Sequence, residues 1–357
     1  MRIPDRRFSK NLNALRALGC IFVAIAHTGH MRFAWYFVQA FFVLSSYFIS
    51  QEILSPEPWK SYAWKRLVRV LPSYLFYLAP LAIAFPDRVA TKLPYLLTFT
   101  FNYYISAHYD TYDPLITHLW TISVDVQFYV VWFIVLRLLG PRARVALMLA
   151  VVVASPLLRM WFTDAMLARQ IPDWGVGQVV YWLTFLHLDA FAMATLVVMY
   201  RDRISVRMAQ VTLLISLGCL LAIGIDNILV NDQRVEDLGL PAGKIYGGMH
   251  IWGYTAADIS LAALVLVLRA KDEDGSVFSR MFGSWYLQKL GLASYVFYLI
   301  HWPLLHLKIL WFGNPSIFSP VGAGGFLIYL AATSLAAFLL YELVEKRFAR
   351  FRLLGAT

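Results

Sequence analysis

Long apolar stretches separated by short polar segments run through the whole chain. Ten of them reach or approach the roughly 20 residues that a helix needs to cross a bilayer. Because lipid offers no hydrogen bonds to the backbone, these stretches are predicted to be helical. The predicted spans are residues 11–30, 33–54, 70–86, 115–139, 142–160, 178–200, 208–229, 246–269, 288–311 and 322–346.

This pattern predicts an all-α polytopic membrane protein, a bundle of about ten transmembrane helices in a single domain of residues 1–357. The stretch 91–106 is apolar but short, and we interpret it as a re-entrant or interfacial helix. Composition agrees, since 60% of the residues are hydrophobic and 15% are charged, unlike a typical soluble domain.

The distribution of basic residues predicts the orientation of the chain. If the N-terminus is cytoplasmic, 22 of the 31 Lys and Arg residues fall in inner segments and eight in outer segments, while Arg16 lies within a span. This bias predicts that both termini are cytoplasmic, and we expect the chain in the cytoplasmic (inner) membrane of a bacterium. The net charge of +10 therefore reflects topology, and no nucleic-acid partner is expected.

Ionisable side chains occur inside six of the predicted spans. Such groups are costly in hydrocarbon and usually face a water-filled cavity or the interior of a bundle, where they mark functional sites. The alternative is that they pair with one another and only fix helix positions. They are Arg16, His27, Asp125, His187, Asp189, Asp258, His301 and Glu342.

Arg16 and His27 lie together in the first apolar run, LRALGCIFVAIAH. Eleven residues make three helical turns plus about 20°, so both side chains share a face, about 16 Å apart along the axis. Histidine can take up a proton near neutral pH, and arginine binds phosphate or carboxylate groups. Alternatively, each side chain extends to the nearer membrane surface. His27 and His30 have spacing for two metal ligands, but no acidic or cysteine partner stands out and no metal site is predicted.

A basic stretch, KRLVR, stands at the entry to the third predicted span. Arg66 and Arg69 are three residues apart and share a helix face. They could bind a phosphorylated cofactor that arrives from the cytoplasm, or serve only as a positive anchor at the inner surface.

The fourth span contains HLWTISVDVQFYVV, in which His118, Asp125 and Tyr129 lie along one helical stripe. Asp125 could orient His27 or neutralise Arg16, and the spacing leaves both interpretations open.

Six segments, in order along residues 11–348, resemble signatures of the membrane acyltransferase type 3 family. LRALGCIFVAIAH resembles the R-x10-H signature, FFVLSSYFIS resembles FFVLSGFLI, and KRLVR matches RxxR. HLWTISVDVQFYVV resembles HLWSLSVEEQFYLL, SYVFYLIHWPLL resembles SYSLYLWHWP, and YELVEKRF resembles Y-x-x-x-E-(K/R)-P-F.

The resemblance implies an integral membrane enzyme that moves an acyl group, usually acetyl from acetyl-CoA, onto a hydroxyl of a glycan or related molecule. It implies that Arg16 and His27 form the essential pair and that Arg66 and Arg69 handle the cofactor. We add Asp125 as a candidate catalytic residue and Arg16 as a third candidate for binding the cofactor. The candidate supporting residues are His118, Tyr129 and His301.

The chain departs from the family pattern at several positions. Gln39 stands where the family often has an acid in the second span, Ser46 replaces a glycine, and Arg347 replaces a proline. Asp125-Val126 replaces a pair of glutamates. Many members also carry an SGNH hydrolase-like domain, and this chain is expected to be a standalone member without one.

Together these observations predict an O-acyltransferase that uses cytoplasmic acyl-CoA to modify a cell-envelope or secreted glycan, or a lipid-linked sugar. His27 would act as general base, with a covalent acyl-histidine route as the variant. A transporter of a lipid-linked sugar or organic anion is the alternative from another class. A non-catalytic scaffold is the third, although it would need few buried ionisable groups.

Overall fold

A computed structural model of the protein describes residues 9–55, 58–272 and 277–350. Within these ranges the chain forms helices and loops without a strand, as the apolar pattern predicts. The α-helices are α1 (Lys10–His27), α2 (Trp35–Leu54), α3 (Trp59–Ala84), α4 (Pro86–Val89), α5 (Leu93–Leu97), α6 (Phe101–Ala107), α7 (Trp120–Leu138), α8 (Pro141–Leu167), α9 (Asp173–Trp182), α10 (Leu188–Tyr200), α11 (Val206–Val230), α12 (Tyr254–Ala270), α13 (Val277–Phe282), α14 (Trp285–Leu292), α15 (Ser294–Phe312), α16 (Pro320–Leu340) and α17 (Lys346–Ala349). Short 3-10 helices cover Arg32–Ala34, Ala90–Lys92, Thr117–Leu119, Thr184–Leu186, Val235–Asp237 and Tyr246–Gly248, and π-helical turns cover Met249–Gly253 and Tyr341–Glu345.

Among the described residues, seven helical stretches are long and apolar enough to cross a membrane, and the bent pair α14–α15 could supply an eighth. α1 and the pair α9–α10 account for the other two predicted spans and fall outside this count. Large apolar side chains such as Leu214, Leu221 and Leu229 cover the exposed side of α11, as expected of a surface that faces lipid. The seven stretches are Arg32–Leu54, Trp59–Ala84, Thr117–Leu138, Pro141–Leu167, Val206–Val230, Tyr246–Ala270 and Pro320–Ala349.

The predicted span 178–200 is wrong as a single helix, because the chain leaves helical geometry between α9 and α10. At the break, buried polar side chains donate hydrogen bonds to backbone carbonyl groups that lack a helical partner. The Asn102 side-chain amide donates to the Trp182 carbonyl at 3.2 Å, and Arg159 Nη1 donates to the Leu186 carbonyl at 2.6 Å. Because the donors come from distant segments, the local apolar pattern does not reveal the break.

The predicted span 288–311 is also divided, because α14 and α15 meet at an angle of 85°. α14 lies across α1, where Asn13 Nδ2 donates to the Gln288 carbonyl at 2.8 Å. Gly291 permits the close crossing, since a Cβ built there would lie 2.1 Å from the Asn13 carbonyl oxygen.

Two other boundaries differ from the predictions. α3 begins at Trp59 rather than near residue 70, so Arg66 and Arg69 lie inside this helix and not ahead of it. The stretch 91–106 contains two short helices, α5 and α6, in place of the one predicted.

The bundle has two ends, which we name by their contacts. At the N-terminal face, Ser9 Oγ donates to Asp272 (2.8 Å) and Arg201 donates to Gln51 (3.4 Å). Lys289 of α14 also lies at this face. Its Nζ atom is 3.2 Å from Oε1 of Glu342, which is close to the end of the described chain. Both described ends of the chain therefore lie at the N-terminal face.

The opposite end, the distal face, is formed by the loops after α1, α6, α11 and α15. The Arg32 backbone N–H donates to Asp237 at 2.7 Å, and Asn314 Nδ2 donates to the Thr28 carbonyl at 3.3 Å. These contacts hold the end of α1 against two loops.

α2 lies at the centre and packs against α1, α7, α10 and α12. Its small polar residues face α10, where Ser46 Oγ donates to the Phe191 carbonyl (2.8 Å) and Ser50 hydrogen-bonds Thr195 (2.8 Å). Small polar residues at such interfaces let helices approach closely in a membrane. Ser46 thus has a packing role at a position where the family signature has glycine.

Candidate active site

Two adjoining cavities enter the bundle from the N-terminal face. The outer cavity has a volume of about 740 Å³, and its wall includes Asn13, Gln51 and Arg201 at that face. The inner cavity is narrower, about 100 Å³, and extends between α1, α2, α3, α7 and α15. The two cavities share the side chains Arg16, Phe48, Arg66 and Arg69.

Arg16 contributes an unpaired guanidinium to both cavities. Its Cζ atom lies 4.9 Å from the centre of the Phe48 ring. Within the described ranges it forms neither a hydrogen bond nor an ion pair. Its donors are therefore available to a ligand in the cavity.

Arg66 and Arg69 reach the same cavities from α3, and each has a carboxylate partner. Arg66 is hydrogen-bonded to Glu52 at the end of α2. Arg69 Nη1 lies 3.0 Å from Glu345 Oε1, and the Glu345 side chain is buried. A guanidinium group can donate two parallel hydrogen bonds to the oxygens of a phosphate group.

The acids Glu52 and Glu345 were not among the predicted site residues. Glu345 is the glutamate of the closing motif, whereas the sequence prediction placed Glu342 in the membrane. In the structure Glu342 is at the surface and pairs with Lys289 and Lys346. The motif match was the signal that could have identified Glu345.

Asp125 and Tyr129 line the inner cavity from α7. Ser45 of α2 lines the same cavity. The charged neighbours of Asp125 are Arg16 and Arg69, although no direct ion pair joins Asp125 to either among the described residues. The structure places Asp125 on the cavity that Arg16 lines, and its predicted role of neutralising Arg16 stays a prediction.

His27, His118 and His301 form a second cluster, nearer the distal face. Their ring centres are 5.2 Å apart for His27 and His301 and 5.5 Å apart for His118 and His301. The indole of Trp302 contacts His27, with ring centres 3.4 Å apart. The predicted stripe of α7 is therefore divided, because His118 joins the histidines and Asp125 joins the arginines.

Tyr298 connects the two groups of residues. It lines the inner cavity, donates its hydroxyl to the His118 carbonyl at 3.0 Å, and lies 5.1 Å from the His301 ring. Tyr298 thus contacts both the inner cavity and the histidine cluster. In the part of the chain that the structure describes, no group of three or more His, Cys, Asp or Glu side chains could hold a metal ion.

A separate buried polar cluster contains His187 and Asp189, which the sequence analysis listed among the ionisable residues of the spans, and Arg159, which it did not list. Arg159 and Asp189 form two hydrogen bonds, of 3.0 and 2.7 Å, and neither side chain is exposed. Nearby, Gln39 Nε2 lies 2.9 Å from His187 Nδ1, at the position where the family often has an acid. These residues line neither cavity of the candidate site.

Comparisons with known proteins agree with this architecture. The family model for an acyltransferase domain matches residues 9–353. A protein named as a membrane-bound transacylase, BcsY of Komagataeibacter xylinus, is 28% identical over 151 residues. That match covers 38% of this chain and 39% of the length of the relative. No solved structure matches the chain. Because the family model covers nearly the whole sequence, the chain belongs to the acyltransferase 3 family.

Proposed function

We propose that the protein transfers an acyl group, acetyl by family preference, from acyl-CoA to a hydroxyl of a cell-envelope or secreted glycan. The observation that carries this proposal is the convergence of Arg16, Arg66 and Arg69 on two adjoining cavities, the inner of which is lined by Tyr298, a neighbour of the His301 ring. Family membership supports acyl transfer, and the arginines supply a reason for an anionic, phosphorylated donor.

In this proposal the donor enters from the N-terminal face, which we assign to the cytoplasm. Arg16 binds an anionic group directly, because it has no carboxylate partner to give up. Arg66 and Arg69 add positive charge, while Glu52 and Glu345 limit the mutual repulsion of the three guanidinium groups.

His27 would deprotonate the acceptor hydroxyl as its oxygen attacks the thioester carbonyl. The carbon–sulfur bond then breaks and the thiolate departs. In the covalent variant, His27 itself takes the acyl group first and the hydroxyl attacks the acyl-histidine. Both routes need His27, which lies at the end of α1 close to the distal face, where a glycan acceptor would arrive.

The first test measures transfer of radiolabelled acetyl from acetyl-CoA to envelope glycan in membranes that contain His27→Ala. We expect a loss of about 10²–10⁴-fold in kcat, the usual contribution of a general base, with acetyl-CoA binding retained. Undiminished transfer would exclude both the base and the covalent route.

The second arm measures acetyl-CoA binding to purified Arg16→Gln and Arg66→Gln. Loss of a charge-assisted contact is expected to raise Kd by about tenfold or more. Arg207→Gln is the matched control, since Arg207 is exposed near the start of α11 and lines neither cavity. If the wild-type protein shows no saturable acetyl-CoA binding, the result favours the transporter alternative over the enzyme.

Mass spectrometry of glycans from cells with and without the gene identifies the acyl group and the acceptor.

A further inference from the structure

Backbone carbonyls hold two of the clustered histidines in one tautomer each. His118 Nε2 lies 3.0 Å from the Leu299 carbonyl oxygen, and His301 Nδ1 lies 2.5 Å from the Tyr298 carbonyl oxygen. A carbonyl oxygen only accepts hydrogen bonds, so the proton of each neutral ring is on the bonded nitrogen. The other nitrogens, His118 Nδ1 and His301 Nε2, are therefore acceptors.

Both acceptor nitrogens are buried and have no hydrogen-bond partner among the described residues. The His118 side chain is 1% exposed and the His301 side chain is 0% exposed. A buried acceptor that receives no hydrogen bond costs free energy of folding. An N–H or O–H group that donates to either nitrogen would therefore stabilise the protein.

His27 is placed to supply that donor to His301. The His27 ring is half-buried, forms no hydrogen bond to the described residues, and as a neutral imidazole carries one N–H. Two imidazoles joined by an N–H···N bond of about 3 Å have ring centres about 5 Å apart. The centres of the His27 and His301 rings are 5.2 Å apart, so the rings are close enough for such a bond, although none joins them in this structure.

No carboxylate among the described residues is hydrogen-bonded or ion-paired to His27. The ring contacts of His27 are with His301 and Trp302. Asp125, the acid that the sequence offered as a partner, belongs instead to the cavity lined by Arg16.

We propose that His301 is a positioning residue: its Nε2, which has no partner in this structure, accepts the N–H of His27 when the His27 ring turns toward it during catalysis. The inference rests on the proposed function, in which His27 is the base. The bond fixes the His27 tautomer and leaves its other nitrogen unprotonated toward the acceptor hydroxyl. During transfer, the hydroxyl oxygen bonds to the thioester carbon and the carbon–sulfur bond breaks. The hydroxyl proton moves to His27 and then to the departing thiolate, while His301 keeps its own proton on Nδ1.

The test compares His301→Gln with His301→Leu in steady-state acetyl transfer from acetyl-CoA to envelope glycan. Glutamine can place an acceptor oxygen near the former Nε2 position, whereas leucine of similar size cannot accept. We expect His301→Leu to lower kcat by about 10²-fold with the KM for acetyl-CoA unchanged, and His301→Gln to stay within about tenfold of wild type.

His108→Gln is the matched control. His108 Nδ1 also lies near a backbone carbonyl, that of Tyr104 at 2.9 Å, but the side chain is exposed at the distal face, and wild-type kinetics are expected. Equal losses in the glutamine and leucine variants, or a loss confined to KM, would overturn the positioning role. Inactive His27→Ala together with fully active His301→Leu overturns this inference alone. Fully active His27→Ala overturns the proposed function itself.

Discussion

Arg159 and Arg16 both lie inside the helical bundle, but their surroundings differ. Arg159 is fully buried, forms two hydrogen bonds with Asp189 and donates to the carbonyls of Leu186 and Ile251. Arg16 borders two cavities and has no such partner in the described ranges. The satisfied arginine therefore stabilises the fold, and the unsatisfied one is available to a ligand.

Arg159→Met is expected to destabilise the protein by about 3–5 kcal/mol, because the buried Asp189 carboxylate loses its partner. Thermal unfolding of the purified protein in detergent measures the change. The double variant Arg159→Met/Asp189→Leu should recover part of the loss, since it removes both charges. Recovery stays incomplete because the Leu186 and Ile251 carbonyls still lack their donor. An unchanged midpoint in the single variant would show that the ion pair contributes little.

The sequence predicted the site residues that local patterns and motifs mark, and missed those that depend on tertiary contacts. Arg16, Arg66 and Arg69 line one cavity, and the roles that the sequence assigned to them stay predictions. Arg159 was not listed among the ionisable residues of the spans, although it lies near the end of the predicted span 142–160 and inside α8, which continues to Leu167. Glu345 pairs with Arg69 across 276 residues of chain, a distance that no local spacing covers.

At the scale of elements, apolar length located the helices but not their interruptions. A hydrophobic run indicates that a segment is buried or faces lipid, and it does not report whether the helix inside the run is continuous. α9 and α10 are separated where Asn102 and Arg159 replace helical hydrogen bonds. α14 and α15 are separated where α14 must cross α1.

Gly291→Ala is predicted to disturb that crossing. A Cβ at this position would lie 2.1 Å from the Asn13 carbonyl oxygen, so α14 must move away from α1. Overpacking of this kind costs about 1–3 kcal/mol, which a lower unfolding midpoint in detergent would reveal.

Gly218→Ala is the matched control for this element. Gly218 lies in α11 with nothing within 4 Å of a built Cβ, so alanine should be neutral or stabilise the helix by about 0.5–1 kcal/mol. Equal midpoints for the two variants would contradict the account of the crossing.

At the scale of the whole molecule, the site extends along the axis of the bundle. The arginine-lined cavities open at the N-terminal face, and the histidine cluster lies toward the distal face. Such an arrangement suits a donor and an acceptor that arrive from opposite sides of a membrane. It works with cytoplasmic acyl-CoA only if the N-terminal face is cytoplasmic, as the bias of basic residues predicts.

Cysteine labelling in cells tests this orientation. In a background with Cys20→Ala and Cys219→Ala, Asp110→Cys places one thiol at the distal face and Asp202→Cys places one at the N-terminal face. A membrane-impermeant maleimide should label the Asp110→Cys variant in intact cells. It should label the Asp202→Cys variant only after the membrane that holds the protein is permeabilised, because basic segments are retained in the cytoplasm. The reverse pattern would place the arginines outside, where acyl-CoA is absent, and would contradict the proposed route of the donor.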